Sequence, residues 1–474
     1  MKYLELFTTI IDNLLLLYSI LIMFAYTVLL FISAYSLRKY IRRNQSSDYE
    51  KLITSPFEPA ISVIAPCYNE EASIVENINA LLELHYNNYQ VIIVNDGSKD
   101  YSLQKAIEAY EMEIVHYFIP QRLKTQSIKT VYKSTNKAYY NLILVDKENG
   151  GKADALNAGI NVSDNELLVC IDVDSIVEPD SLLKLAKPFL EATDTKVIAS
   201  GGVVHIANSC HIERGRLIKR NIPKKILPRI QVVEYARAFL IGRIAWSKLN
   251  GLLIISGALG MFDKDIVIKA GGYLASTVGE DMELVVRMRK YMFKNKIPHK
   301  VEYIPDPLLW TEVPSDLQTL GRQRNRWTRG TMDTLFIHRK MFFNPKYKAL
   351  GLLGYPFWFF FEWMAPIVEI LGLTYFIILA VIGSINWAFF LFLLAFIYFF
   401  SINFSFFSIF LLEVTFHQYK KAGQIFKLFL TSLIEPVLYH PMTVYWAIKG
   451  NISYFKGSKS WGSMTRSGFK ESKK

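Results

Sequence analysis

Residues 166–175 read ELLVCIDVDS and join an apolar strand pattern to two carboxylates. The run of strand-forming residues at 167–171 is followed directly by Asp172 and Asp174. Side chains at positions i and i+2 of an extended chain point to the same side, so we expect both acids on one face at the end of a buried strand. Two carboxylates that close repel each other unless a positive group lies beside them. The stretch therefore predicts a strand-end site that needs a cation.

Similar apolar runs surround this one between Pro59 and Ile304 and alternate with helical stretches; they are residues 61–65, 91–94, 142–145 and 197–200. Such alternation is typical of a mostly parallel sheet covered by helices. Polar stretches (PCYNEE, NDGS, DKENGGK and DVDS) follow four of the five strands. Ligands of such sheets bind at the carboxyl ends of the strands, so we expect a site there and not four unrelated solvated loops.

An apolar run without charge, Leu14 to Leu37, precedes this region and is followed by basic residues at positions 38, 39, 42 and 43. A helix of that length crosses a hydrocarbon core of ~30 Å. A signal peptide is the alternative, but the run is too long and its basic flank is on the wrong side. The basic flank predicts that the following domain is cytosolic.

Apolar segments return after Lys340. Pro356–Gly383 and Trp387–Leu412 are each long enough to span a bilayer, and the first contains Glu362 and Glu369. Such charges normally face protein or a water-filled path, although a purely structural helix pair is the alternative. Both flanks of Leu428–Ile448 are basic, which one crossing would separate, so we predict a re-entrant or interfacial segment and three true spans, not four.

These features divide the chain of 474 residues into three predicted parts: an N-terminal membrane helix and basic linker at 1–50, a cytosolic catalytic domain at 51–335, and a C-terminal membrane region at 336–474. The three cysteines are scattered and predict neither a disulfide framework nor a metal site. The net charge of +12 follows the segments that flank the membrane. It therefore indicates lipid headgroups and topology, and we expect no nucleic-acid partner.

Oxygen ligands at Asp172 and Asp174, without a nearby histidine or cysteine pair, favour Mg²⁺ or Mn²⁺. Mg²⁺ usually combines one or two carboxylates with substrate phosphates, which points to a nucleotide diphosphate. Lys152 follows two glycines and opens a helical pattern, a setting that suits phosphate, although an ordinary surface lysine is the alternative.

Two further stretches contain residues suited to catalysis. Glu280 and Asp281 open a predicted helix, where the helix dipole alone favours acids, but a carboxylate there also suits a general base. In LGRQRNRWTRG, residues 320–330, four arginines surround Trp327. This segment could bind nucleic acid, but arginines that hold a diphosphate beside an indole that stacks on a sugar explain the same residues.

Together these motifs resemble those of the membrane-embedded, processive family 2 glycosyltransferases, the synthases of cellulose, chitin, hyaluronan and poly-N-acetylglucosamine. The resemblance covers nearly the whole chain. Its most specific element is Q-x-x-R-W, which here is Gln323, Arg326 and Trp327. The accompanying D-x-D, E-D and G-G-K motifs are those already described.

The resemblance implies an α/β GT-A fold, Rossmann-like, for the cytosolic domain and an α-helical transmembrane region. It assigns a uridine pocket to Tyr68, Glu70 and Asp96. Lys152 would approach the nucleotide, and Asp172 would contact the ribose or the metal. Asp174 would ligate the Mg²⁺ or Mn²⁺ that bridges the diphosphate.

The resemblance also implies the residues that act on the acceptor. Asp281, beside Glu280, would deprotonate the acceptor hydroxyl, and Gln323, Arg326 and Trp327 would hold the diphosphate and the acceptor sugar. The stretch SWGSMTRSG at 460–468, with Trp461 and Arg466, resembles a gating loop that closes over the nucleotide. Two departures are Gly279, where cellulose synthases have threonine, and a long basic segment between residues 96 and 150.

The implied function is an inverting transferase that polymerises a β-linked polysaccharide from UDP-sugar and moves it through a multi-pass region of the plasma membrane. One alternative is transfer of a single sugar to a lipid or polyprenyl phosphate. Another is a non-catalytic membrane scaffold that binds nucleotide sugars. The motifs do not select the sugar, the linkage, or Mg²⁺ over Mn²⁺, and they leave accessory membrane subunits open.

Overall fold

The computed structural model describes residues 2–44, 58–213, 215–419 and 421–457. Its strands are β1 (Ile61–Cys67), β2 (Tyr89–Asp96), β3 (Met112–Ile114), β4 (Ile128–Ser134), β5 (Leu142–Lys147), β6 (Leu167–Ile171), β7 (Ile176–Val177), β8 (Lys196–Ile206), β9 (His211–Glu213), β10 (Arg216–Lys219), β11 (Leu259–Asp263) and β12 (His299–Thr311).

The helices of the same residues are α1 (Lys2–Asn44), α2 (Ile74–Leu82), α3 (Ser102–Ala109), α4 (Lys152–Val162), α5 (Ser181–Leu190), α6 (Ile226–Tyr235), α7 (Ile244–Lys248), α8 (Lys264–Ala270), α9 (Glu280–Lys294), α10 (Leu317–Ile337), α11 (Tyr355–Phe357), α12 (Ala365–Val381), α13 (Trp387–Phe416), α14 (Ala422–Leu438) and α15 (His440–Phe455). Short π-helical segments at Ala236–Arg243, Leu350–Gly354 and Trp358–Trp363 join some of them.

Within the described residues, ten strands form one sheet in the order β3-β4-β5-β2-β1-β6-β11-β8-β12-β7. The four neighbours β5, β2, β1 and β6 are parallel, with Ile64 opposite Ile92 on one side and Cys170 on the other. These strands are apolar along nearly their whole length because both faces of the sheet are covered. The predicted strands are confirmed, and all four carboxyl ends meet at one edge.

Antiparallel strands flank this parallel group. Strand β11 runs antiparallel between β6 and β8, whereas β12 is parallel to β8. At the other end of the sheet, β4 is antiparallel to β5 and β3 to β4. The Rossmann-like α/β class is therefore confirmed. The predicted motifs follow the strands of the parallel part of the sheet.

The spacing of Asp172 and Asp174 had suggested that the chain stays extended through both residues. In the structure it does not. Strand β6 ends at Ile171, and a turn follows in which the amide of Ser175 donates to the carbonyl of Asp172 at 3.0 Å. The chain must leave β6 here because the next residues form β7, which pairs with β12 at the far end of the sheet. Both acids nevertheless line one cavity.

Three helical segments among the described residues are long and apolar enough to cross a membrane: Tyr3–Arg43, Leu350–Val381 and Trp387–Phe416. This number agrees with the three predicted spans. The segment predicted to be re-entrant or interfacial is broken at Tyr439 into α14 and α15 and is not among them. The domain boundary predicted at residue 335 falls two residues before the end of α10 and stays a prediction.

Candidate active site

A single cavity of about 3010 Å³ begins at the carboxyl ends of the parallel strands and continues between the membrane helices. It is lined by every described residue that the motifs had singled out: Tyr68, Glu70, Asp96, Lys152, Asp172, Asp174, Glu280, Asp281, Gln323, Arg326 and Trp327. Trp461 and Arg466, predicted for a gating loop, lie outside the described residues. The structure thus brings together motifs that are spread over more than 250 residues of sequence.

Lys152 is the cation beside the acidic cluster. Gly151 precedes α4 with φ of 86°, a conformation that glycine adopts without strain, and the helix then begins at Lys152. The Nζ of Lys152 lies 2.5 Å from Oδ1 of Asp172 and donates to the carbonyl of Gly257 at 3.0 Å. Burial lowers the pKa of Lys152, but nearby carboxylates, Asp172 first, raise it further, so its net shift is upward. Lys152 therefore stays charged and offsets the repulsion among these acids.

Asp96 stabilises the loop that contains Gly150 and Gly151. Its carboxylate accepts hydrogen bonds from the amides of Gly150 and Gly151 at 3.0 and 2.8 Å. Lys147, which is fully buried, forms ion pairs of 2.6 Å with both Asp96 and Asp154. No sequence pattern singles out Lys147, because a lysine at the end of a strand usually faces solvent. Asp96 lines the cavity and also fixes the loop that presents Lys152.

The loop after β1 carries the other residues predicted for the nucleotide pocket. Tyr68 is 45% exposed and lies at the cavity wall. The carbonyl of Glu70 accepts from the amides of Ser73 and Ile74, which starts the turn into α2, and its own amide donates to Ser102 at 2.7 Å. These hydrogen bonds fix the conformation of the loop. The uridine-binding role of Tyr68 and Glu70 stays a prediction.

Glu280 and Asp281 form the first turn of α9 and differ in environment. Glu280 is 5% exposed, and burial raises its pKa to about 7. Asp281 is partly exposed to the cavity, and its Oδ1 accepts from the amide of Met282 at 2.8 Å. Its Oδ2 lies so close to Gly257 that a β-carbon there would be 2.7 Å away. Gly257, which has no β-carbon, therefore leaves room for the Asp281 carboxylate that faces the cavity.

Helix α10 carries the Q-x-x-R-W motif along the cavity, and Trp327 is 41% exposed there. Arg324 lies behind it: the guanidinium is 4.2 Å from the centre of the Trp327 ring. Arg324 donates to Glu234 at 2.7 Å and to the hydroxyl of Tyr439 at 3.2 Å. The indole is thus held by α6 and by the break between α14 and α15. No local pattern could have linked these residues, because they are 90 and 115 positions apart.

The residues of the predicted metal site are compatible with Mg²⁺ or Mn²⁺. No group of three or more histidine, cysteine, aspartate or glutamate side chains suited to a metal occurs in the part of the chain that the structure describes. A site of one or two carboxylates, completed by substrate phosphates, is the usual arrangement for Mg²⁺. Asp172 and Asp174 offer only oxygen and line the cavity beside Lys152, so they fit such an ion.

Polar side chains continue along the cavity into the membrane region. Tyr26 of α1 donates to Glu362 at 2.9 Å. His440 lies 2.7 Å from Glu369, and Arg237 forms two 2.9 Å bonds with Glu435. All of these residues line the cavity, in agreement with the expectation that the acids of the apolar segments face protein or a polar path.

Comparisons with known proteins agree with this geometry. Residues 62–246 match the family described as glycosyl transferase family 2, and residues 167–402 match glycosyl transferase family group 2. The poly-beta-1,6-N-acetyl-D-glucosamine synthase of Staphylococcus aureus (strain COL) is 30% identical over 297 residues, which cover 62% of this chain and 59% of that protein. The synthase of the same name from Staphylococcus epidermidis is 27% identical over 293 residues, with the same coverage.

This chain therefore aligns with 59% of the length of these curated relatives. Among solved structures, the mannosyltransferase PcManGT from Pyrobaculum calidifontis in complex with GDP-Man and Mn2+ is 15% identical. The superposition has a TM-score of 0.54 and covers 94% of this chain and 99% of that one. At this identity the likeness shows the fold alone, and it confirms the fold predicted for this chain.

Proposed function

The chain is a synthase-like member of glycosyltransferase family 2, and we propose that it polymerises a β-linked polysaccharide from a UDP-sugar at the cytosolic face of the plasma membrane. We propose N-acetylglucosamine as the sugar because the curated relatives are named for that polymer. The observation that carries the proposal is the continuity of the cavity from Asp281 to Glu369. A product that grows at Asp281 can enter the membrane region without leaving the protein.

The proposed donor site lies at the carboxyl ends of β1, β2 and β6. Lys152 and Arg326 supply positive charge for a diphosphate, and a charge-assisted hydrogen bond is about twice as strong as a neutral one. Asp174 and Asp172 would hold Mg²⁺ or Mn²⁺, which neutralises charge on the leaving diphosphate when bound. When the donor binds, its phosphates become an additional partner for Lys152, which now contacts Asp172.

The proposed reaction is a single displacement with inversion at the anomeric carbon. Asp281 takes the proton of the acceptor hydroxyl, whose oxygen forms the new bond to that carbon. The bond between this carbon and the diphosphate oxygen breaks, and UDP leaves with the electron pair. Preorganised cations stabilise the charge that develops on the diphosphate. Asp281 suits the role of base because its carboxylate is partly exposed to the cavity, whereas Glu280 is almost completely buried.

The test is incubation of the full chain, purified in detergent, with UDP-N-acetylglucosamine, UDP-glucose, UDP-glucuronic acid or GDP-mannose and either Mg²⁺ or Mn²⁺. We expect a long polymer from UDP-N-acetylglucosamine that a β-1,6-specific hydrolase degrades. The release of UDP without polymer would contradict the proposal. Nucleotide-sugar binding without any UDP release would instead support a scaffold.

A second candidate is transfer of one sugar to a polyprenyl phosphate. The observation in its favour is that part of the cavity wall consists of exposed apolar residues of α13, a helix long and apolar enough to cross a membrane: Leu391, Leu394 and Ile397 are 55%, 55% and 40% exposed. A lipid-linked acceptor could therefore reach the cavity from the bilayer. The same assay with added polyprenyl phosphate distinguishes the two functions, since this candidate predicts a lipid that carries one sugar.

A further inference from the structure

Most of the positive side chains of the cavity have carboxylate partners. Lys152 pairs with Asp172, Arg237 with Glu435 and Arg324 with Glu234, at 2.5, 2.9 and 2.7 Å respectively. This pattern follows from the large desolvation cost of an unpaired ion in a protein interior. An exception in the same cavity therefore needs an explanation.

Arg243 is that exception. It ends the π-helical segment Ala236–Arg243 and lines the cavity. Among the described residues, no carboxylate lies within ion-pair distance of its guanidinium, and its Nε is buried without a hydrogen-bond acceptor. The contact that it does make is with the ring of Phe239, whose centre is 3.8 Å from Cζ. Burial lowers the pKa of Arg243, which expresses the cost of keeping this charge unpaired.

Elsewhere the fold supplies acceptors to a buried arginine that has no carboxylate. The guanidinium of Arg289 is completely buried, and it donates to the carbonyls of Leu252 and Asn250 at 2.8 and 2.6 Å. Within the described part of the chain, no backbone carbonyl accepts a hydrogen bond from Arg243. Because Phe239 covers one face of the guanidinium, the N–H groups around its edge remain available to a molecule in the cavity.

The position of Arg243 indicates what kind of molecule could bind to its N–H groups in the cavity. Both Asp281, the proposed base, and Glu362, in the membrane region, act on its charge. Arg243, Asp281 and Glu362 line the same cavity, so a chain that grows from Asp281 into the membrane region passes through the cavity that Arg243 lines. An anionic acceptor would be repelled here by Asp281, Glu280 and Glu362. A neutral sugar offers hydroxyl and amide oxygens to Arg243 and hydroxyl donors to Glu362.

We propose that Arg243 is an acceptor-binding residue that donates hydrogen bonds to a neutral sugar of the growing chain, in the cavity that Glu362 also lines. This proposal rests on the proposed function, because it requires a saccharide acceptor. The bound sugar supplies hydrogen-bond acceptors for Arg243, which the described residues of the protein do not supply. Arg243 thereby favours occupancy of the acceptor site after each addition.

The test compares Arg243→Met, Arg243→Lys and the wild-type full chain in detergent, with a β-1,6-linked N-acetylglucosamine hexamer as acceptor. Methionine keeps much of the side-chain volume and removes every donor. We expect Arg243→Met to raise the KM for the hexamer at least about tenfold, the loss of a hydrogen bond from a charged donor. The KM for UDP-N-acetylglucosamine should change by less than about twofold. Arg243→Lys should restore part of the acceptor affinity.

A second measurement does not depend on activity. Because methionine removes a partly buried charge that has no carboxylate partner among the described residues, Arg243→Met should melt at the same temperature as the wild type or higher. The hexamer alone, without donor, should raise the melting temperature of the wild type but not that of Arg243→Met. The matched control is Arg339→Met, just after α10, where the arginine is exposed and does not line the cavity; this variant should match the wild type in both assays.

Three outcomes would overturn the inference. One is an unchanged KM for the hexamer in Arg243→Met. Another is a lower melting temperature together with equal increases in both KM values, which would indicate a structural role. The third is stabilisation of the wild type, through Arg243, by undecyl phosphate and not by the hexamer. If the wild type extends no saccharide at all, the proposed function fails first, and the two failures are thus distinguishable.

Discussion

Gly279 and Gly330 lie in direct backbone contact: a β-carbon at Gly279 would be 2.6 Å from the Cα of Gly330, and one at Gly330 would be 2.7 Å from the Cα of Gly279. The first glycine precedes α9, which begins with Glu280 and Asp281, and the second belongs to α10, four residues after Arg326. The contact therefore sets the distance between the proposed base and the Q-x-x-R-W motif. It also explains why threonine cannot occupy position 279 here.

Replacement of either glycine by alanine should separate the two helices. Overpacking of this kind typically costs about 1–3 kcal/mol, and the backbone atoms on both sides cannot move aside like a flexible side chain. We expect Gly279→Ala and Gly330→Ala to lower the melting temperature and to reduce polymer synthesis at least about tenfold, because a shift of ~1 Å in a catalytic site has effects of that size or larger.

Gly423→Ala is the matched control for these variants. Gly423 lies in α14, and a β-carbon there would meet no atom within 4 Å. Alanine at an open helical position is favourable by about 0.5–1 kcal/mol. Wild-type activity in both Gly279→Ala and Gly330→Ala would show that the contact does not set the geometry of the site.

Asp281→Asn tests the proposed base. Asparagine keeps the shape and the hydrogen bond from the amide of Met282 but cannot take a proton at neutral pH. We expect the rate of transfer to fall by about 10²–10⁴-fold, the usual contribution of general base catalysis. UDP affinity, measured by calorimetry, should remain near that of the wild type. Asp265→Asn on the surface of α8 is the control, and near-normal turnover of Asp281→Asn would exclude this residue as the base.

The pKa of Glu280 predicts a pH dependence of stability. Burial raises this pKa from its ordinary value of 4.5 to about 7. Between these values the folded protein retains a proton that the unfolded chain has lost. The contribution of Glu280 to stability is therefore full below pH 4.5, falls as the pH rises and has been lost once the pH exceeds about 7.

Glu280→Gln should remove this contribution to the pH dependence. Relative to the wild type, the melting temperature of Glu280→Gln should be higher at pH 8 than at pH 5, by a few degrees for a change of about 1–2 kcal/mol. Glu302→Gln, which alters a partly exposed carboxylate paired with Lys300, corrects for unrelated titrations. A difference between Glu280→Gln and wild type that is the same at both pH values would show that burial does not raise this pKa.

Asp174→Asn tests the proposed metal site. Asp174 is the acid that we assign chiefly to the metal ion, whereas Asp172 also forms an ion pair with Lys152. We expect UDP binding to require more Mn²⁺, with affinity lost about 10-fold or more per ligand removed. UDP affinity without metal should not change. Equal Mn²⁺ dependence in Asp174→Asn and the wild type would contradict the assignment.

Strand-end motifs were predictable because their position depends on a local pattern. Alternation of apolar runs with helical stretches predicts parallel strands, and the carboxyl ends of such strands must share an edge. Lys152 and Asp172 could therefore be expected near each other, although they lie 20 residues apart, and their ion pair follows from that geometry. The beginnings of α4 and α9 were likewise predictable from glycine and acidic residues.

Contacts between distant elements were not predictable. Nothing local to Gly330 indicates that it touches Gly279, and nothing local to Arg243 indicates that none of the described carboxylates pairs with it. Both facts depend on how α10 and the π-helical segment pack in three dimensions. Strand β11 was not predicted at all, and residue periodicity would in any case indicate a strand but not its orientation.

Lys147 allows a direct test of how much a buried ion pair contributes to the stability of the folded protein. Its ammonium is fully buried between Asp96 and Asp154, each at 2.6 Å. Lys147→Met leaves two buried carboxylates without their cation, and breaking such a pair typically costs about 3–5 kcal/mol. We expect a much lower melting temperature in detergent. UDP should also bind more weakly, because Asp96 then no longer fixes the loop that carries Lys152.

Lys196→Met is the matched control, since it removes the same kind of side chain from an ion pair at the surface. Lys196 is 43% exposed and lies 2.8 Å from Asp263. Pairs in solvent contribute about 0–1 kcal/mol, so this variant should melt close to the wild type. If Lys147→Met and Lys196→Met lowered the melting temperature equally, the buried cluster would contribute no more than an exposed pair. Asp96 would then owe its orientation to the amides of Gly150 and Gly151 alone.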